Sequence, residues 1–473
     1  MASARPRLFA DHWRALCLLG LLGLVGCSGV PGCSSLPTTV PDLARRADPS
    51  VRLEGVGGPL SAAKSKAILD GLHGRSQDTD IFDRHLAIEQ AIVGSPLTTG
   101  NQVLLMQDGP ATYQAMYVAI LAARDHINME TYILDDDEVG QRFAQALMDK
   151  QRQGVQVNLI RDSAGTLGTP SAFFQQLIDS GIQVLEFNPM NPLVSRKEWS
   201  LNQRDHRKLL IVDGRIAFMG GINISSVYSG GSFGKGSRAP SDGSPAWRDT
   251  DLQLQGPVVA EFQKLFLATW KKQKGAPLAP KNYFPRPQNA GKQVVRAIGS
   301  SPDEPNSQIY ATLLSAIGSA ETSVQVTNAY FAPDPQLLAA LEAAAKRGVD
   351  VKLILPSQTD SWLVFHAGRG YYAQLLRSGV NIYQRRGVIL HSKTALIDGV
   401  WATVGSTNFD WRSFLHNDEL NAVVLGAEFG SQIQAMFDKD LASSEAITLA
   451  QWERRPIDLR VKELVARMWE YWL

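Results

Sequence analysis

The chain has little cysteine and none where it could build a framework. Its three cysteines, Cys17, Cys27 and Cys33, fall within the first 33 of 473 residues, so the body has no material for disulfides or for a thiolate metal site. Charge of one sign is lacking too: 47 lysines and arginines against 46 aspartates and glutamates leave a net charge of +1, no electrostatic basis for holding a nucleic acid. The apolar run 15–25 is well short of the roughly 18 residues a bilayer span requires.

That run has the form of an export signal. Arg5, Arg7 and Arg14 precede it and Gly26-Cys27 follow. Leu24-Val25-Gly26-Cys27 resembles the bacterial lipobox, in which the cysteine takes a diacylglyceryl group and becomes the mature N-terminus. The expected layout is a signal peptide over 1–26 and a flexible tether over 27–50, with Gly, Ser and Pro concentrated in 28–41. The protein would then be a lipoprotein of the bacterial envelope, facing the periplasm from the inner or outer membrane.

A helical packing segment is expected over 51–98, and after it one pattern occurs twice. The first pass reads helix 115–124, strand 127–133, helix 139–153, strand 155–160; the second reads 309–320, 324–330, 335–347, 349–355. Gly154 and Gly348 stop the paired helices at matching places. Alternating helices and apolar strands predict an α/β fold. The proline-rich stretch with Pro277, Pro280, Pro285 and Pro287 marks a linker, giving domains over 99–275 and 301–473 with 276–300 between them.

Each half carries one histidine-centred motif. His206-Arg207-Lys208 leads to Asp213, Gly220 and Asn223; His391-Ser392-Lys393 leads to Asp398, Gly405 and Asn408, with offsets of 2, 7, 14 and 17 in both. At about one position in twenty per residue type, five such matches arise roughly once in a few million placements. Histidine and lysine two apart on a strand share a face, so each half presents an imidazole beside an ammonium. Joined, the halves would enclose two imidazoles, two ammonium groups and two carboxamides, a pocket suited to a phosphodiester. A single buried histidine is commonly a core residue; the pairing argues for chemistry. A lysine beside each histidine would repel a divalent cation, so no metal and no other cofactor is expected.

This duplicated HxKxxxxDxxxxxxGxxN pattern resembles the phospholipase D superfamily, from Gly100 onward, and its flanks are most similar to bacterial cardiolipin synthases. Those flanks are Pro96 to Asn101, Trp247-Arg248-Asp249-Thr250-Asp251, and Asn408 to Phe414 with Asn417-Asp418-Glu419. The resemblance implies two similar α/β/α sandwich domains related by a pseudo-twofold axis. It implies a phosphatidyl group moved through a phosphohistidine to the head-group hydroxyl of phosphatidylglycerol, from phosphatidylglycerol or phosphatidylethanolamine. His206 would be nucleophile and His391 acid/base, in a monomer with no nucleic-acid partner. Lys208, Lys393, Asn223 and Asn408 would bind the phosphate oxygens.

Downstream carboxylates could fix the imidazole tautomers, and Asp251 and Glu419 are assigned that role. Asp213 and Asp398, on the opposite strand face, are expected to hold a turn. Ser225 to Tyr228 lack the counterparts of Asp410 and Arg412 and are left out of the site, and the Gly/Ser-rich insertion 229–246 reads as a surface loop or a cover. Near the C-terminus Val461, Leu464, Val465, Met468, Trp469 and Trp472 recur at helical spacing, for packing on the body or for lying on a membrane surface. The rival functions are a hydrolytic phospholipase D, a nucleic-acid phosphodiesterase and an inactive lipid-binding protein.

Overall fold

The computed structural model describes residues 51–72, 79–190, 202–231, 245–304 and 306–470. Cys27 with the rest of the leader and tether, most of the 229–246 insertion, and Trp472 lie outside the described residues.

The repeated pattern folds as expected. In the first half the helix Asp108–Ala122 leads to the strand His126–Thr131, and Glu138–Arg152 to Gln156–Asp162; in the second, Gln308–Ser319, Ser323–Asn328, Pro335–Lys346 and Asp350–Pro356 repeat the order. Side-chain chemistry sets the helix ends. Asp137 accepts from Gly140 N–H and Asp334 from Gln336 and Leu337 N–H, capping otherwise unpaired donors. Gly154 and Gly348 follow the same two helices at φ of 86° and 93°, a conformation that favours glycine.

Across the sheet the first half runs Gln183–Phe187, Gln156–Asp162, His126–Thr131, Leu209–Val212, Ile216–Gly220, Thr250–Gln255 and Leu97–Gln107. The second runs Asn381–Arg385, Asp350–Pro356, Ser323–Asn328, Lys393–Ile397, Trp401–Gly405, Asn417–Leu425 and Gln293–Ser300, the same order. The final strands of the two series pair antiparallel, Asn101 opposite Gln293 and Thr98 opposite Val295, so the pseudo-twofold axis passes between them. This shortens the expected 276–300 linker. Its end, Gln293–Ser300, is a sheet strand, because Val294, Val295, Ala297 and Ile298 are all buried once the proline-rich stretch is past.

The helices Val258–Lys272 and Ala427–Ala442 close the junction. Phe262, Phe266 and Trp270 from one, with Phe429, Ile433 and Met436 from the other, share a single core with strands of both halves. Burial of each such side chain contributes about 1.5–3 kcal/mol.

The segment 51–98 opens with a small hairpin, Leu53–Gly55 against Gly58–Pro59, before the helices Ala62–Leu72 and Ile81–Ile92. The second of these packs on the far half of the chain. Glu89 is buried, 3.2 Å from Arg296 Nε and 3.1 Å from Trp401 Nε1, and His85 Nδ1 lies 2.9 Å from Ser315 Oγ.

Asp213 and Asp398 do hold turns, each at φ near 50° (53° and 50°). The Asp213 carboxylate accepts from the backbone N–H of Arg124, Asp125 and His126, and Asp398 from those of Glu321, Thr322 and Ser323. Each thus ties its own turn to the entry of the neighbouring antiparallel strand.

The C-terminal helix forms at Ile457–Arg467, but its large apolar residues are not what packs on the body. Glu463 and Ala466 are its buried residues, while Val461, Leu464 and Val465 face outward.

Candidate active site

Two short parallel pairings create the site. Arg204–Asp205 lies beside Asn417–Asp418, and Ile389–Leu390 beside Trp247–Arg248. The residues before each histidine therefore pair with the opposite half: His206 N–H donates to Asp418 O at 2.9 Å, and His391 N–H to Arg248 O at 2.8 Å. This exchange sets beside each imidazole a carboxylate from the other half.

His206 Nδ1 lies 3.1 Å from both oxygens of Glu419. Glu419 is itself held by the Ser406 hydroxyl and by Asn417 Nδ2, the latter at 3.1 Å. His391 Nδ1 lies 2.7 Å from Asp249 Oδ2, and the other Asp249 oxygen accepts from Thr250 N–H at 2.7 Å. A carboxylate can only accept. Both contacts therefore call for hydrogen on Nδ1, which leaves Nε2 for chemistry; at His391 Lys393 Nζ also lies 2.9 Å from Nδ1.

Asp251, assigned to orient an imidazole, does something else. Its Oδ1 accepts from Ile222 N–H at 3.0 Å, and it touches neither histidine. Strand register explains the displacement: Asp251 pairs with Gly220 as Asn421 pairs with Gly405, so the true counterpart of Glu419 is Asp249, two residues earlier. Burial and the neighbouring Asp249 charge push Asp251 up to about 8, leaving it protonated at neutral pH and close in character to the amide of Asn421.

The glycine pair makes room for these carboxylates. A Cβ on Gly221 would come within 2.2 Å of Asp249 Oδ1; at the matching position of the second half stands Ser406, whose hydroxyl binds Glu419.

Both imidazoles face a cavity of about 330 Å³, with Asn223 and Asn408 in its wall. Asn223 Oδ1 accepts from Ile133 N–H at 3.1 Å and its Nδ2 donates to Tyr228 OH at 3.0 Å. The two lysines are folded back, each Nζ donating to the carbonyl of its own histidine and lying over a tyrosine ring, Tyr132 for Lys208 and Tyr330 for Lys393. Those rings also meet the imidazoles, 5.1 Å for Tyr132 to His206 and 5.9 Å for Tyr330 to His391.

Several wall residues escaped sequence reasoning. Tyr228, set aside for want of a counterpart, places its hydroxyl 3.3 Å from His391 Nδ1, and Trp247 packs on the same ring at 5.2 Å. Arg204, Arg412, Asp360 and Asp410 also line the cavity. Trp247 and Asp249 stood in one of the recognised flanks, and Asp410 and Arg412 in another; that signal was available.

Burial pulls the His206 imidazole down to about 4 against the opposing attraction of Glu419. Burial and the Lys393 ammonium also lower His391, with Asp249 opposing. Burial lowers Lys208 to about 7 and Lys393 to about 8. Glu419, which burial alone would raise, is held below its ordinary value by His206 and Lys208. The pocket thus holds neutral imidazoles and weakened ammonium groups, and an anion beside them would favour charge on the ammonium groups and on one imidazole.

Two α/β/α halves sharing one composite His–Lys–Asn site define a phospholipase D-like protein. The family model described as "Cardiolipin synthase, PLD-like domain" matches residues 116–228 and 313–441. The chain is 33% identical over 378 residues to the cardiolipin synthase of Geobacillus kaustophilus (strain HTA426), spanning 79% of this chain and 72% of that one. It is 32% identical over 383 residues to that of Halalkalibacterium halodurans, spanning 80% and 73%. Among solved structures, the phosphatidylserine synthase of Haemophilus influenzae Rd KW20 matches with a TM-score of 0.60 at 12% identity, over 81% of this chain and 99% of its own, a likeness of fold. The chain belongs to the cardiolipin synthase-like family of phospholipase D superfamily phosphatidyltransferases.

Proposed function

We propose that the enzyme transfers a phosphatidyl group to the head-group hydroxyl of phosphatidylglycerol, forming cardiolipin, with phosphatidylglycerol as donor and phosphatidylethanolamine as a second donor. The observation that carries this reading is the crossed orientation of the imidazoles: each Nδ1 is held by a buried carboxylate of the opposite half and both rings line one cavity.

With the phosphodiester bound and His391 protonated, the neutral His206 attacks the donor phosphorus through Nε2, and the bond to the leaving alcohol breaks as His391 Nε2–H gives that alcohol its proton. The phosphatidyl-imidazolium so formed is positive, and Glu419 stabilises it through Nδ1–H. The acceptor hydroxyl then passes its proton to His391 and attacks the same phosphorus, releasing neutral His206. Lys208 and Lys393 swing from their backbone carbonyls to the non-bridging oxygens, with Asn223 and Asn408 beside them. One phosphodiester replaces another, so no energy-rich cofactor is needed.

Lipid mass spectrometry after incubation with phosphatidylglycerol vesicles tests the reading. Cardiolipin and glycerol in equal amounts support it; phosphatidic acid without cardiolipin would make the enzyme a hydrolase. We further propose that the monomeric chain is anchored through lipidated Cys27 in the bacterial envelope. Among the described residues no helix is long and apolar enough to cross a membrane. The anchor reading fails if the wild-type protein carries no diacylglyceryl group on Cys27, or if Cys27→Ser protein is processed at the same position as wild type.

A further inference from the structure

Six of the large apolar side chains that face solvent belong to one short stretch. Ile457, Val461, Leu464, Val465, Met468 and Trp469 are each between 42% and 77% exposed. Positions 457, 461, 464, 465 and 468 fall on one face of a helix. The opposite face is packed, with the charged Glu463 buried on it, bound by Arg455 at 2.7 Å, and Ala466 fully enclosed. A helix of a water-soluble body places these faces the other way round.

We propose that this stripe is the surface on which the enzyme rests on an anionic phospholipid bilayer, with the mouth of the catalytic cavity held against the lipid. The connection to the site is direct. Ala466 packs with Ala332, Val364 and Ala367 and against Tyr330, and both Val364 and Tyr330 are walls of the cavity. The helix beneath, Trp362–Arg369, exposes Trp362 and Leu363 immediately after the cavity residues Asp360 and Ser361.

Size and charge single out the occupant. A cavity of about 330 Å³ with polar and aromatic walls accepts a phosphodiester head group and leaves the acyl chains outside, in the bilayer. Around the stripe Arg454, Arg460, Lys462 and Arg467 outnumber Glu453, Asp458 and Glu470, and Trp469 ends it, the arrangement that suits head-group depth on an anionic surface. The inference rests on the phospholipid substrate for its logic; its binding test does not.

Hydrogen exchange on the full chain, with and without phosphatidylglycerol vesicles, reads the surface itself, and turnover of Val461→Ser/Leu464→Ser/Met468→Ser protein reads its use. Vesicles should slow exchange over 457–469, and the triple variant should lose about tenfold or more in turnover on vesicles while staying within about twofold on dispersed short-chain phosphatidylglycerol. Absence of vesicle-induced slowing would overturn the proposal, as would equal losses on both substrates or no loss on either. A stripe already protected without vesicles would also overturn it, assigning the surface to a second copy if sedimentation gives a dimer and to the chain's own leader if it gives a monomer. Slowed exchange with no turnover of either substrate by either protein would leave the surface standing and remove the transferase reading.

Discussion

Replacing Glu419 by Gln should disable His206, a residue 213 positions away in the other half, more than it disables His391 in its own. The carboxylate is fully buried, and each of its oxygens is 3.1 Å from His206 Nδ1. When Nε2 bonds phosphorus the ring becomes positive, with its charge about 4 Å from the carboxylate. At an effective dielectric of about 20 that attraction is worth about 4 kcal/mol, or roughly a thousandfold in rate. Asp249→Asn should cost as much on phosphatidylglycerol, through His391. The two separate on an activated ester whose leaving group needs no proton: the Asp249→Asn defect should shrink by most of its magnitude, and the Glu419→Gln defect should persist. Asp251→Asn should stay within about tenfold of wild type on both substrates, since a protonated acid is replaced by an amide that already stands at Asn421. The crossed arrangement is refuted if Asp251→Asn matches Asp249→Asn, or if the activated ester rescues Glu419→Gln instead.

Other consequences can be measured singly. Because burial lowers Lys208 to about 7 and Lys393 to about 8, raising pH strips charge from the phosphate-binding ammonium groups earlier than for ordinary lysines, so kcat/KM should fall from about pH 7 to 8. The bound diester anion restores those charges, so the alkaline limb of kcat should lie higher; coincident limbs would contradict this. Gly221→Ala puts a methyl within 2.2 Å of Asp249 Oδ1 and should reproduce the Asp249→Asn loss, with full activity as the contrary result. Glu89→Ala leaves Arg296 buried beside an emptied partner site and should destabilise the fold by about 3–5 kcal/mol, seen as a lower thermal midpoint; an unchanged midpoint would show the ion pair to be dispensable.

The parts legible in the sequence were the local ones. Helix and strand alternation and the stops at Gly154 and Gly348 depend on a few consecutive residues and fold as read, whereas His206 and His391 stand just before the strands Leu209–Val212 and Lys393–Ile397 and not on them. Asp249 was missed because Asp251 lies on the same strand face, and the insertion before it hides the distance that would have chosen between them. Pairing of each carboxylate with the opposite histidine depends on contacts such as Arg204–Asp205 with Asn417–Asp418, which no local spacing encodes. Tyr228 lacks a partner in the second copy, so the repeat could not point to it. At the C-terminus periodicity located the helix correctly, but periodicity says only that an apolar face exists; among the described residues that face is exposed.

The most direct test of the composite site is covalent trapping. With an activated phosphatidyl ester, His391→Ala protein has a nucleophile but lacks the acid, and the leaving group does not need one. The account predicts a phosphatidyl adduct on the peptide containing His206, stable enough for mass spectrometry because no base remains to activate the acceptor, and none in His206→Ala protein. An adduct on His391 in the His206→Ala protein, or no adduct in either, would contradict it.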